Sequence, residues 1–351
     1  MQEKNINPYE EIKKCPPHGM EKEVQQTLTV RDDRLDSVKY WLIVLVITMH
    51  VFQRPEFSDS TIRVGMWKGI AIFVMPLFIF ISGYFSRKNT TEKFLSNIWK
   101  LMEPLIIFQA IISILHNGIE NLFVNFLTPI WILWYLLSLI YWRIMLQIIP
   151  NNILKHRKIV MICMVCISIL AGFLPFDRYL SLQRTLAYMP FFFLGYYMRG
   201  KNLCLPDRYK PFCFVIFIFM FVIPLYFPQY LGDLTFAIPY KSIYGAAQRI
   251  IIFIIAVPMS VAFLNICYNA PWIARQGRMS MHYYLFHALM IKPLIMVVGK
   301  LNIPMNIITA VIMVIVIAFV ISFLLKLSYI KMLTNPSLFF VKKCNIKLNW
   351  S

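Results

Sequence analysis

Charge is scarce in this chain. Asp, Glu, Lys and Arg make up 15% of its 351 residues, where a soluble domain carries about 25%. Hydrophobic residues account for 59%, and the mean hydropathy is +0.64. A water-soluble fold of this size could not hide so much apolar surface. Intrinsic disorder, a collagen-like chain and a secreted disulfide scaffold are excluded by the same composition. Acidic residues are the scarcest charges, 16 against 35 Lys and Arg, for a formal net charge of +19. In a soluble protein that excess would point to nucleic acid. In a chain this apolar it reads as Lys and Arg accumulating in cytoplasmic loops, and no nucleic-acid partner is expected. A disulfide framework is also missing, because the seven Cys are odd in number and scattered through apolar segments. Cys163 and Cys166 form a C-x-x-C inside the run 159–172, without a second pair at zinc spacing. They read as small packing residues of a membrane helix, and no metal site is expected.

Residues 1–33 lack the apolar core and small-residue cleavage site of a signal peptide. Polar and carrying Pro8, Pro16 and Pro17, they are expected to form a mobile cytoplasmic N-terminal tail. No soluble domain, low-complexity tract or obvious internal repeat follows. Apolar stretches near the ~20 residues that a bilayer requires occur at 38–53, 66–85, 101–115, 129–149, 159–176, 185–198, 212–227, 245–268, 280–299 and 304–325. The expectation is an all-α integral membrane protein, a polytopic bundle of about ten transmembrane helices over 34–330, with a cytoplasmic C-terminal tail at 331–351. With the N-terminus inside, the cytoplasmic segments hold 26 Lys and Arg. The external ones hold seven: Arg54, Arg63, Lys68, Arg178, Arg184, Lys241 and Lys300. That bias predicts both termini inside, with 116–128 outside.

An ionisable residue inside a span is costly, so each is a candidate for function. His50 lies in the outer half of the first span. Lys39 precedes it by eleven residues, which brings a helix round to within roughly 20° of the same face. Asp36, three residues before Lys39, lies within about 40° of that direction. Asp36, Lys39 and His50 therefore line one stripe, from the cytoplasmic rim to a point ~16 Å beyond it. Pro76 removes a backbone donor from the second span and predicts a kink. Ser82-Gly83 allows close helix approach. Arg87 sits at the inner rim, placed either to snorkel to lipid phosphates or to bind a phosphorylated ligand. Trp131 and Trp134 read as bilayer-interface anchors. His287, two turns into the ninth span, needs a partner there, and His50 is one possibility.

Several passages, taken in order, resemble the acyltransferase-3 family of multi-spanning O-acyltransferases, in particular its fucose-4-O-acetylase-like and polysaccharide-modifying branches. Arg34-Leu35-Asp36-Ser37-Val38-Lys39, then ten residues and His50, resembles the family's opening basic-x10-His motif, with Lys39 at a position that is often Arg. Met75-Pro76-Leu77-Phe78-Ile79-Phe80-Ile81-Ser82-Gly83-Tyr84 resembles its phenylalanine-rich SGY segment. Lys100-Leu101-Met102-Glu103-Pro104, Trp131-Ile132-Leu133-Trp134-Tyr135-Leu136, Tyr188-Met189-Pro190-Phe191-Phe192-Phe193-Leu194-Gly195-Tyr196 and Tyr284-Leu285-Phe286-His287 follow in the expected order.

The resemblance implies transfer of an acyl group, commonly acetyl, from a thioester such as acetyl-CoA to a carbohydrate hydroxyl. Acyl-CoA is then a donor substrate and no cofactor is resident. The acceptor is a cell-surface or capsular glycan or its precursor, the setting is a bacterial cytoplasmic membrane, and membrane lipids are the surrounding partners. His50 carries over as the catalytic residue. A sugar hydroxyl is a weak nucleophile that needs a base within hydrogen-bond reach, and imidazole suits neutral pH. Arg34, Lys39, Arg87 and Lys100 are placed to hold donor phosphates at the cytoplasmic mouth, with Asp36 and His287 in support. The thioester arm would then thread along the first-span stripe to His50. A sugar transporter or lipid-linked-glycan flippase remains the alternative, since it also uses about ten spans and a midplane His.

Overall fold

A computed structural model of the chain describes residues 32–57, 61–117 and 128–327, together with 330, 332–334 and 336. Most of the expected N-terminal tail, of the 116–128 loop and of the C-terminal tail lies outside the described residues. Among those described, all regular structure is helical. In chain order the helices are α1 (Asp33–Phe52), α2 (Thr61–Tyr84), α3 (Thr91–Asn117), α4 (Trp134–Ile148), α5 (Asn151–Lys155) and α6 (Arg157–Ala171). There follow α7 (Leu182–Met198), α8 (Lys210–Tyr226), α9 (Tyr244–Ile266), α10 (Pro271–Gly277), α11 (Ser280–Lys300) and α12 (Ile307–Leu324). The Asp32 carboxylate starts α1 by accepting from the backbone N–H of Arg34 and Leu35, and Asp33 and Asp36 complement the positive end of the helix dipole. Asn306 caps α12 by accepting from the Thr309 N–H.

Among the described residues, seven helical segments are long and apolar enough to cross a bilayer: α1, α2, α3, the segment Asp207–Tyr226 that contains α8, and α9, α11 and α12. The remaining three apolar stretches hold α4, α6 and α7, of 15, 15 and 17 residues. These give about 22 to 26 Å of helix against a hydrocarbon core of about 30 Å. On that measure seven of the ten expected spans are met. Two of the short helices start late for a visible reason. Residues 128–133 before α4 and 177–181 before α7 leave the helical path to form loops on one end of the bundle, with left-handed backbone at Trp131, Asp177, Leu180 and Ser181.

The outward faces are apolar, as contact with lipid requires. On α12, Ile308, Ile312, Ile315 and Phe319 are exposed, and α8 buries only Cys213 and Pro224. Cys163 and Cys166 are also exposed, on α6. They face outward rather than serving as packing residues.

The most extensive helix contact is α2 on α7. A Cβ on Gly83 would lie 1.9 Å from the Phe192 carbonyl oxygen, and one on Gly195 would lie 2.0 Å from that of Phe80. Each helix thus lays its glycine against the backbone of the other, as small residues permit in membranes. The two segments share one order, Met-Pro, an aromatic run, then Gly-Tyr, at 75–84 and 189–196. It is a local likeness too short to register as a repeat. Proline also lies inside α3, α8, α9 and α11. Neighbouring helices make such breaks tolerable within a bilayer.

Candidate functional site

His50 occupies the last turn of α1 and is half-buried. Its Nδ1 lies 3.2 Å from Oε1 of Gln53, the residue that caps the helix. A carbonyl oxygen only accepts, so Nδ1 carries the proton and Nε2 keeps its lone pair. The ring stacks on His287 of α11, with centroids 5.5 Å apart and planes inclined by 20°. His287 is fully buried, and its Nδ1 donates to the Tyr283 carbonyl one turn back, at 3.1 Å. By the same logic its Nε2 holds a lone pair, and no hydrogen-bond partner for that atom exists among the described residues. The Trp131 ring stands edge-on to His50, with centroids 5.0 Å apart.

Four of the segments that carried the family resemblance, those holding Ser82, Trp131 to Tyr135, Tyr188 and Tyr284 to His287, converge here with His50. Ser82 Oγ of α2 and Tyr135 Oη of α4 are hydrogen-bonded at 2.6 Å. The Tyr135 ring meets Tyr284 of α11 at 5.4 Å. Tyr284 Oη donates to the Ile132 carbonyl, which ties α11 to the loop before α4. Trp134 stacks on Tyr188 of α7 at 5.3 Å, and Tyr188 Oη donates to the Leu234 carbonyl at 3.2 Å. Four helices and two loops are thereby clamped around the two imidazoles. Trp131 and Trp134, expected at a bilayer interface, are instead part of this wall.

The wall encloses a cavity of about 490 Å³. His50 lines it, as do Gln53, Arg54, Trp131, Trp134, Asp177, Arg178, Arg184, Tyr188 and Tyr284. His287 does not, so His50 is the imidazole that reaches the cavity. Arg54 packs its guanidinium over Trp131 at 4.5 Å, and Arg184 packs over Trp134 at 5.1 Å. Burial lowers the Arg54 pKa from its ordinary value, with nearby Glu56 opposing the change. An arginine so shifted still stays charged. Trp131, Asp177 and Ser181 line the cavity with φ of +49°, +45° and +56°. Left-handed backbone costs a non-glycine residue about 1–2 kcal/mol. Strain of this kind gathers where a fold holds a site in shape.

The other residues singled out in the sequence lie elsewhere. Arg34, Asp36 and Lys39 sit at the start of α1, at the opposite end from His50. Arg34 donates to the Leu264 carbonyl and to Asn265 Oδ1, at 2.9 and 3.0 Å. Lys39 pairs with buried Asp36 and lies over the Phe85 ring at 5.3 Å, two residues short of exposed Arg87. Lys100 is exposed on α3. Along α1 the cavity wall ends at Val46, seven residues or about 10 Å from Lys39. Ile43 on the same stripe is fully buried. The stripe is closed packing there, rather than a groove for a thioester arm. Gly277 explains part of that closure, since a Cβ on it would lie 1.7 Å from the Asp36 carbonyl oxygen, so α10 rests directly on α1.

Sequence reasoning passed over Gln53, Arg54, Arg178 and Arg184. The signal was available, because Lys and Arg are sparse in the predicted external loops. The first five of the seven external cations have a specific place: Arg63 donates to the Phe52 and Arg54 carbonyls, Lys68 to that of Pro228, and Arg54, Arg178 and Arg184 line the cavity.

Among the described residues, no group of three or more His, Cys, Asp or Glu is placed to hold a metal ion. No curated protein and no solved structure matches the chain. A family model described as an acyltransferase domain, that of acyltransferase-3, matches residues 32–327, which spans every helix from α1 to α12. With that match covering most of its length, the chain belongs to the acyltransferase-3 family.

Proposed function

We propose that this membrane acyltransferase moves an acetyl group from acetyl-CoA to a carbohydrate hydroxyl, with His50 as general base. The observation that carries the reading is the placement of His50. Its Nδ1 is held by Gln53, and the ring is braced by His287 and Trp131 at the wall of a polar cavity. His50 Nε2 takes the proton of the acceptor hydroxyl as its oxygen attacks the thioester carbonyl carbon. The carbon–sulfur bond then breaks, and the proton passes to the departing thiolate. The product is an ester and free CoA. Ten membrane crossings with both termini inside would put the cavity at the external end. Arg87, Lys100 and Lys39 would then meet donor phosphates at the cytoplasmic end, and α1 packing would have to open to connect them.

The test is release of CoA thiol and transfer of labelled acetyl by purified protein. His50→Ala should lower kcat by about 10²–10⁴-fold with little change in donor KM. His50→Gln keeps similar size and hydrogen bonding but cannot take the proton at neutral pH, and should be nearly as poor. Near-native transfer by folded His50→Gln protein would overturn the base assignment. A transporter would move sugar without consuming acyl-CoA.

A further inference from the structure

The cavity beside His50 holds three guanidiniums, those of Arg54, Arg178 and Arg184, against a single lining carboxylate, that of Asp177. None of the three is ion-paired among the described residues. Nε of Arg54 and Nε of Arg184 are buried and have no hydrogen-bond acceptor there. A buried donor left unmet is costly and calls for an explanation. The tryptophans do not supply one. A guanidinium stacked on a ring uses its face, while its five N–H donors lie in the plane and stay free for an oxyanion. Stacking on Trp131 and Trp134 therefore fixes Arg54 and Arg184 without satisfying them. Three cations kept at the end where Lys and Arg are rarest, in a partly enclosed cavity, form a positive field aimed at a ligand.

We propose that the acceptor is an anionic carbohydrate, held by carboxylate or phosphate oxygens on Arg54, Arg178 and Arg184 so that its hydroxyl lies beside His50. This deepens the acyl-transfer reading and rests on it for the word acceptor. About 490 Å³ is room for one or two sugar units. The donor's phosphates share the same oxyanion chemistry and are the rival occupant, so the test must separate the two.

Acyl transfer is measured with a hexuronic acid, a hexose phosphate and the matching neutral hexose as acceptors. Native protein should favour an acidic acceptor in kcat/KM by tenfold or more. Arg54→Gln and Arg178→Gln should each remove most of that preference, while the KM for acetyl-CoA moves less than twofold. Arg178 lies on an exposed loop, so its variant keeps the test valid if Arg54→Gln folds poorly. Equal use of neutral and acidic acceptors would overturn the proposal. So would a rise in donor KM in the arginine variants, which would assign the cations to CoA. Binding is followed separately in His50→Ala protein through the fluorescence of Trp131 and Trp134. Salt-sensitive binding of the acidic sugar over the neutral one supports the proposal, and equal binding overturns it. If His50→Ala remains fully active yet prefers the acidic sugar, the base assignment falls and the anion site stands.

Discussion

Replacing Gln53 with leucine removes the acceptor that holds Nδ1 of His50, at 3.2 Å, and leaves the backbone of the α1 cap in place. The side chain is only half-buried, so the lost bond is an ordinary neutral one, worth about 1 kcal/mol net. If that energy goes into holding the productive tautomer and ring angle, kcat should fall about fivefold, at about 1.4 kcal/mol per tenfold. That lies far below the loss expected for removing the imidazole itself. Donor KM should be unchanged, since Gln53 acts through His50. Gln53→Glu keeps an oxygen at the same reach and should recover most of the rate. The decisive arm is a double variant: in a His50→Ala background Gln53→Leu should change the residual rate by less than twofold, because its partner is gone. The assay is initial CoA release at saturating acetyl-CoA. The same loss in both backgrounds, or a hundredfold loss from Gln53→Leu alone, would refute the positioning role.

Other outcomes follow from the same geometry. Acidifying the medium should lower the rate as His50 takes up a proton and loses its acceptor lone pair; a flat profile deep into acid would argue against an imidazole base. Gly83→Val adds a Cβ that would lie only 1.9 Å from the Phe192 carbonyl oxygen. Overpacking of this kind costs typically 1–3 kcal/mol, so the melting temperature in detergent should fall clearly, and an unchanged value would contradict the close contact. In intact cells a cysteine introduced at position 178 should react with an impermeant reagent while one at 201 should not; the reverse would invert the topology.

His50 and His287 were legible because an ionisable group inside an apolar run has few reasons to be there. Their meeting was legible only as a possibility, since α1 and α11 are joined by contacts more than 230 residues apart in sequence. Gln53 and Arg54 were not legible, because a polar residue just past a span is what any loop shows. Arg184 was assigned to a loop, whereas it sits in the first turn of α7 and reaches the cavity. The left-handed residues left no trace either. Trp131, Asp177 and Ser181 are not glycines, so nothing in their chemistry announces the backbone they adopt. The wall they build is imposed by tertiary packing, and a window of sequence does not contain it.

The mutual glycine contact of α2 and α7 has a mechanical meaning. Where carbonyl oxygens rest in the hollows left by missing Cβ atoms, neither helix can slide or roll without collision, so the pair turns as one keel. Under the proposed reaction donor and acceptor must nevertheless reach His50, on a path closed by side chains on the α1 side. Under that reaction the yielding therefore falls to the α1 packing, beside a pair that stays fixed. Any movement that admits substrate has the keel as something fixed to move against.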